Sequence, residues 1–287
     1  MSPIDRLTAS YMPHVAHIMK GLTLMIALLV TALPSAAETR VISTDAGTTE
    51  ILIALNQQHL LVGVDVTSSL PEGLDLPSVG YHRALPAEGL LSLKPTLVFG
   101  SEHMAPKETL TALKALDVPV IQHATATNAE QLKQNIQAVA KALNVDSSSA
   151  LKEVEKQQSI LQMYPYEASS SVFLLSMQGK GMRQAGKGTA GHAFLSLLGL
   201  PAQANYQGYR SISEEALLTL QPEVIVIAAQ GDLSVEQVLK NMPALAHTPA
   251  AAQHRIVIVD ASSLVAGISL SALQQASAVA AQLNASS

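Results

Sequence analysis

One stretch of this chain occurs twice in altered form, and that repeat constrains the fold more than any other feature. Ala87-Glu-Gly-Leu-Leu-Ser-Leu-Lys-Pro95-Thr-Leu-Val98 is matched by Glu214-Glu-Ala-Leu-Leu-Thr-Leu-Gln-Pro222-Glu-Val-Ile225. Glu88 and Glu215 stand 127 positions apart, as do Pro95 and Pro222. Just upstream, Gly80-Tyr81-His82-Arg83 is partly echoed by Gly208-Tyr209-Arg210. A shared Glu, a shared Pro, the same apolar spacing and a preceding Gly-Tyr point to two lobes built on one plan.

The pattern between the repeats gives those lobes a class. Short apolar strands at Arg40–Ser43, Leu61–Asp65, Thr96–Phe99 and Val118–Ile121 alternate with helical segments at Thr48–Asn56, entered through Gly47, and at Lys107–Leu116. Such alternation makes βα units and a mainly parallel sheet. A helical region from Asn128 to Tyr164 follows. It breaks near Asn144–Ser149, where Asp146 or a nearby Ser can cap the next helix, and it ends at Pro165. The βα pattern then restarts with a strand at Ser171–Leu175, a Gly-rich loop and a helix at Thr189–Leu198. Strands at Glu223–Ala228 and Arg255–Val259 and a last helix at Leu270–Leu283 complete it. The expected fold is α/β: an N-terminal lobe over 38–127, a helical region with an interlobe helix over 128–168, and a C-terminal lobe over 169–287.

The N-terminus reads as an export signal over 1–37. Lys20 precedes an apolar run from Gly21 to Leu33, too short to span a bilayer comfortably, and Ser35 and Ala37 are the small residues of a cleavage site. Met12 and Met19 are alternative starts. With 287 residues, each lobe has enough chain for its own core. The absence of cysteine excludes thiolate metal sites, cysteine nucleophiles and covalent haem attachment. A net charge of −5 and no aromatic-basic strip disfavour nucleic acid, and 3% aromatics with no Trp disfavour a stacked carbohydrate site.

Few motifs suggest catalysis. Gly181 to Thr189 resembles a phosphate-binding loop, but Gly188 stands after Lys187 where a Mg²⁺-binding hydroxyl is needed. The histidines at 59, 82, 103, 123, 192, 247 and 254 show no metal-ligand spacing. No nucleophile elbow is present, and nothing supports an enzyme.

The stretch Val79-Gly-Tyr81-His-Arg83-Ala-Leu-Pro-Ala-Glu88-Gly-Leu-Leu-Ser-Leu-Lys-Pro95 resembles the first lobe of haem-specific periplasmic binding proteins, a branch of the class III, helical-backbone family. Leu174-Leu-Ser-Met177-Gln-Gly, Ala185-Gly-Lys-Gly-Thr-Ala190, Gly208-Tyr209 and Glu215-Ala-Leu are similar to its second lobe. The resemblance covers essentially all of the mature chain. It implies two Rossmann-like lobes joined by a long backbone helix, periplasmic location, haem as cargo rather than cofactor, and an ABC permease with its ATPase subunits as partner.

The resemblance also assigns roles. Tyr81 falls on the family's iron ligand. A free phenol titrates near about 10, but ferric iron and a neighbouring guanidinium both favour the phenolate. Arg83, two residues on, projects to the same side if the segment is extended. Met177 stands where some relatives carry a second, His ligand, and it packs on the porphyrin or within the lobe. Five-coordinate, tyrosine-ligated ferric haem is therefore expected, with His82, His103 or Tyr209 next in line as sixth ligand. Amides of the Gly-rich loop over Gly181–Thr189, at the start of the following helix, are placed with Lys180, Arg183 or Lys187 to meet propionates. Glu88 and Glu215 match the family's permease-docking glutamates, one per lobe. A same-fold carrier of cobalamin or a ferric siderophore remains the alternative, and a periplasmic enzyme the third.

Overall fold

In the computed structural model, which describes residues 38–177 and 181–285, the βα alternation becomes two sheets. The chain order in the first lobe is β1 (Val41–Ser43), α1 (Ala46–Ala54), β2 (Leu61–Val64), α2 (Ala87–Ser92), β3 (Leu97–Ser101), α3 (Lys107–Ala115) and β4 (Val120–His123). Two helices follow, α4 (Ala129–Leu143) and α5 (Ser148–Met163). The second lobe contains β5 (Ser171–Met177), β6 (Gly181–Ala185), α6 (Ala190–Leu197), β7 (Tyr209–Ser211), α7 (Glu214–Leu220) and β8 (Val224–Ala229). It ends with α8 (Val235–Asn241), α9 (Pro249–Ala252), β9 (Ile256–Asp260) and α10 (Leu270–Ala285). The expected export signal over 1–37 lies outside the described residues.

The first sheet has strand order β2-β1-β3-β4 and is parallel throughout. The second has order β7-β6-β5-β8-β9 and is mixed: β5, β8 and β9 are parallel, whereas β6 runs antiparallel to both β5 and β7. The expectation of mainly parallel sheets therefore holds, with β6 as the antiparallel exception in the second lobe. Residues 181–185, read as part of a Gly-rich loop, form β6. Antiparallel neighbours need only a short connection, so no helical segment separates β5 from β6 in the sequence.

The sequence repeat is also a structural one. Ala87 and Glu214, which begin α2 and α7, are 127 positions apart, and so are Leu97 and Val224, which begin β3 and β8. The glycines preceding Tyr81 and Tyr209 both have positive φ, +90° at Gly80 and +75° at Gly208.

Caps account for several boundaries. Asp45, rather than Gly47, begins α1: its carboxylate accepts from Thr48 N at 2.8 Å and from Ser101 N at 2.7 Å, tying the β1–α1 turn to the end of β3. Asn144 ends α4 in the left-handed conformation, with φ 55°, at the expected break. Asp146 then accepts from Ser148 N at 3.2 Å at the start of α5.

One apolar core runs through both lobes. Ile51 and Phe99 of the first and Phe173 and Val226 of the second are buried in the same cluster, linked through Ile136, Val154 and Leu273 on α4, α5 and α10. The opposite face of each sheet has its own cluster, around Ile42 and Leu113 in one lobe and Ile225 and Ile227 in the other. β8 is buried along its whole length, as expected of an interior strand covered on both faces.

Two polar ties fasten the lobes at their base. Ile268 N donates to Ala126 O at 2.7 Å beside a parallel bridge between Ala126 and Gly267. Gly267 has φ +108°, and a Cβ there would stand 2.4 Å from Ala126 O. Glu50 on α1 accepts from Ser271 N at 2.8 Å and Ser271 Oγ at 2.6 Å, satisfying an orphan amide in the first turn of α10. Burial pushes the Glu50 carboxyl above its ordinary range, and the Ser271 bonds offset this only in part.

Two outcomes are expected. Gly267→Ala should lower the urea-unfolding free energy by about 1–3 kcal/mol, because both the clash and the backbone conformation oppose a side chain; an unaltered midpoint contradicts this role. Glu50 binds its proton more tightly folded than unfolded. Its contribution is therefore full below the unfolded value and lost as pH rises through the folded one. Glu50→Gln should gain stability relative to the parent as pH rises from the ordinary carboxyl range toward neutrality. A stability difference that stays constant across that range refutes the assignment.

Candidate functional site

Between the lobes lies a cleft of about 450 Å³. Its first-lobe wall comprises Thr67, Tyr81, His82 and Arg83, and its second-lobe wall is built around Leu175, Ala228, Ala261, Leu264, Val265 and Ala266. Ser176, Tyr209 and Gln230 add polar groups to the second wall. Many of these residues sit at or just past the carboxyl ends of β2, β5, β8 and β9, where open α/β sheets place their ligands.

The local backbone determines how Tyr81 is presented. Residues 78–80 run beside β2, with Val79 N bonded to Val64 O at 2.8 Å and Val66 N to Gly80 O at 3.0 Å. The positive φ of Gly80 turns the chain outward. Ala84 N then donates to Tyr81 O at 2.7 Å, closing a turn over 81–84. Ala105 N holds His82 O at 2.9 Å, and Leu85 N holds Ala105 O at 2.8 Å. Tyr81 and Arg83 therefore share the cleft because of a turn, not because of an extended segment. His82 between them points inward and is buried.

Tyr81 is 44% exposed, an unusual state for a residue whose ring could have been packed away. Arg83 is exposed and makes no hydrogen bond or ion pair among the described residues, so its guanidinium is available to a ligand. His103 Nε2 lies 2.9 Å from Thr125 Oγ1, whose hydroxyl donates to Glu102 at 2.7 Å. Burial and then the charge of Arg83 push His103 below its ordinary value, which keeps its ring neutral. His103 does not line the cleft.

The profile of the periplasmic binding proteins matches residues 41–262. The chain belongs to that family. Among solved structures, the periplasmic haem-binding protein HutB of Vibrio cholerae is 32% identical, with a TM-score of 0.77 over 86% of this chain and 99% of its own. A periplasmic haem-binding protein from Pseudomonas aeruginosa is 31% identical, with a TM-score of 0.78 over 86% and 93%. A vitamin B12-binding protein of Yersinia pseudotuberculosis is 31% identical over 121 residues, 42% of this chain and 42% of that protein. The match thus spans less than half the length of that curated relative.

In this periplasmic binding protein the other residues singled out from sequence have different surroundings. Tyr209 lines the cleft, but its hydroxyl accepts from Gly191 N at 3.2 Å at the start of α6, and burial pushes its phenol upward. It offers the cleft a ring rather than an anionic oxygen. Arg183 donates to Tyr209 O at 2.6 Å.

Lys187 is exposed and lies along a separate groove with Tyr206 and Arg210, not in the cleft. The neighbouring loop amides are already bonded: Gly186 N to Gly208 O at 2.9 Å, Lys187 N to Tyr206 O at 2.8 Å. The side chain of Thr189 caps α6. The expected propionate cradle is therefore not assembled there. Met177 ends β5 opposite Gly181, but its side chain lies outside the described part, as does all of Lys180.

Glu88 and Glu215 are exposed in the first turns of α2 and α7, one in each lobe. Glu214 is instead held by Ala244 N at 2.9 Å, whereas the exposed Glu215 is bonded only locally, to its own backbone amide and to Ser213, which hold its carboxyl below the ordinary range.

The aliphatic second-lobe wall had not been singled out from sequence. Its best signal was positional, the residues just beyond each strand, since none of Ala228, Ala261 or Val265 carries distinctive chemistry.

Proposed function

We propose that this protein captures ferric haem in the interlobe cleft and passes it to an ABC permease. The observation that carries this reading is a solvent-accessible phenol, Tyr81, and an unpaired guanidinium, Arg83, facing a wall of aliphatic side chains across the cleft. A porphyrin is a flat apolar ring with a metal at its centre, and each part of it has a counterpart. The aliphatic wall covers one face, and Tyr81 gives ferric iron a hard anionic oxygen, a ligand type haem proteins use. Arg83 stabilises the phenolate. The cleft volume falls within the range of small-ligand sites. The haem-binding relatives, matched over most of their length, support the same cargo.

Cobalamin is the second reading, favoured by the partial match to vitamin B12-binding proteins. Its corrin is edged with amides and carries a nucleotide loop. It would need more room and more polar partners than this cleft wall supplies.

The docking reading rests on Glu88 and Glu215. Each is exposed near the start of a helix in a different lobe, so one body presents two carboxylates to a two-fold partner. An export signal over 1–37 would deliver the protein to the periplasm.

Two measurements test these assignments. Tyr81→Ala should weaken ferric haem binding at least about 100-fold in an absorbance titration, while thermal stability changes little. Unaltered binding, or tight cobalamin binding by the parent protein, rejects the haem reading. The double substitution Glu88→Ala, Glu215→Ala should leave haem affinity intact and slow transport by the reconstituted permease by about tenfold. Normal transport removes the docking role.

A further inference from the structure

A buried carboxylate and a buried imidazole lie in sequence beneath the exposed phenol. Asp65 follows β2, and its side chain is 0% exposed. Thr67 Oγ1 donates to its Oδ2 and Ser68 Oγ to its Oδ1, each at 2.7 Å. Its remaining neighbour is His82 Nδ1, 3.7 Å from Oδ2, on a side chain only 5% exposed. The His82 ring lies against Tyr81, with centroids 4.2 Å apart and planes inclined at 52°.

Burying a carboxylate is costly unless donors surround it. Two hydroxyls supply those donors, and the His82 ring packs against the same carboxylate at 3.7 Å, beyond hydrogen-bond distance. The His82 side chain is buried and Ala105 N holds its carbonyl, so the ring has little room to move. A chain of contacts results: Asp65 lies against the His82 ring, and that ring lies against the phenol. Tyr81 otherwise stands 44% exposed, with little else to select one orientation.

We propose that Asp65 and His82 are a positioning pair that fixes the angle at which Tyr81 meets the iron. The inference rests on the reading of Tyr81 as the iron ligand. Partners that orient a metal ligand commonly govern affinity nearly as much as the ligand does. A purely structural pair would affect folding, whereas a positioning pair must also alter the bond that Tyr81 makes.

The test uses the mature protein with ferric haem. His82→Phe keeps a ring under Tyr81 but removes the link to Asp65, and Asp65→Asn weakens the link from the other end. Each should shift the phenolate-to-iron charge-transfer absorption and weaken haem binding by roughly tenfold. The double variant should be no worse than either alone, because both act through one contact. Thermal midpoints of the haem-free variants report folding separately.

If Tyr81→Ala abolishes binding while His82→Phe and Asp65→Asn leave spectrum and affinity unchanged, the pair is rejected and the haem reading stands. If Tyr81→Ala itself changes nothing, the haem reading fails and the pair fails with it.

Discussion

The two lobes of this protein cannot part without opening a single apolar core. Phe99 and Phe173 belong to different sheets but to the same buried cluster, bridged by α4, α5 and α10. Close-packed interiors resist continuous deformation, so a core shared in this way holds its two sheets in a defined relation. The Ala126–Gly267 bridge and the Glu50–Ser271 bonds reinforce that relation with directional contacts near the cleft floor. The cleft is therefore a built feature of the fold, with walls whose spacing follows from packing. Small sliding of packed helices suits such an architecture better than wide hinge opening.

Within that frame the duplicated plan has diverged. Gly80-Tyr81 and Gly208-Tyr209 occupy equivalent places, share a positive-φ glycine, and both contribute to the cleft. One phenol is exposed beside an unpaired arginine. The other is half-buried, with its hydroxyl engaged by a helix amide. The same sequence element thus yields an exposed phenol on one wall and a hydrogen-bonded ring on the other. The difference lies in the neighbours: a turn pinned by Ala105 in the first lobe, and the start of α6 in the second. The asymmetry is what the proposed haem reading calls for, with an exposed phenol on one wall and aliphatic side chains on the other.

Much of this was legible before any coordinates. The repeat, the βα alternation, the break at Asn144 and the Tyr81–Arg83 candidates depend on local or periodic signals, which short stretches of sequence carry in full. The mixed sheet was not legible, because Met182-Arg-Gln-Ala185 has neither a continuous apolar run nor strict alternation, and its pairing with β5 and β7 makes it a strand. Lys187 illustrates the opposite error. A Gly-rich loop before a helix is a fair anion site from sequence, but here its amides are bonded to the 206–208 segment and the lysine faces another groove.

Sequence alone therefore determined the class of fold, its duplication and the candidate residues for a site, since those follow from periodicity and side-chain type. Tertiary structure decided which of them face one another. It brought Val265 and Ala266 opposite Tyr81, placed Asp65 and His82 beneath that phenol, and engaged the Tyr209 hydroxyl with the start of α6. The reason is that burial and proximity between residues more than a hundred positions apart depend on how two sheets pack against shared helices. No local pattern encodes that packing.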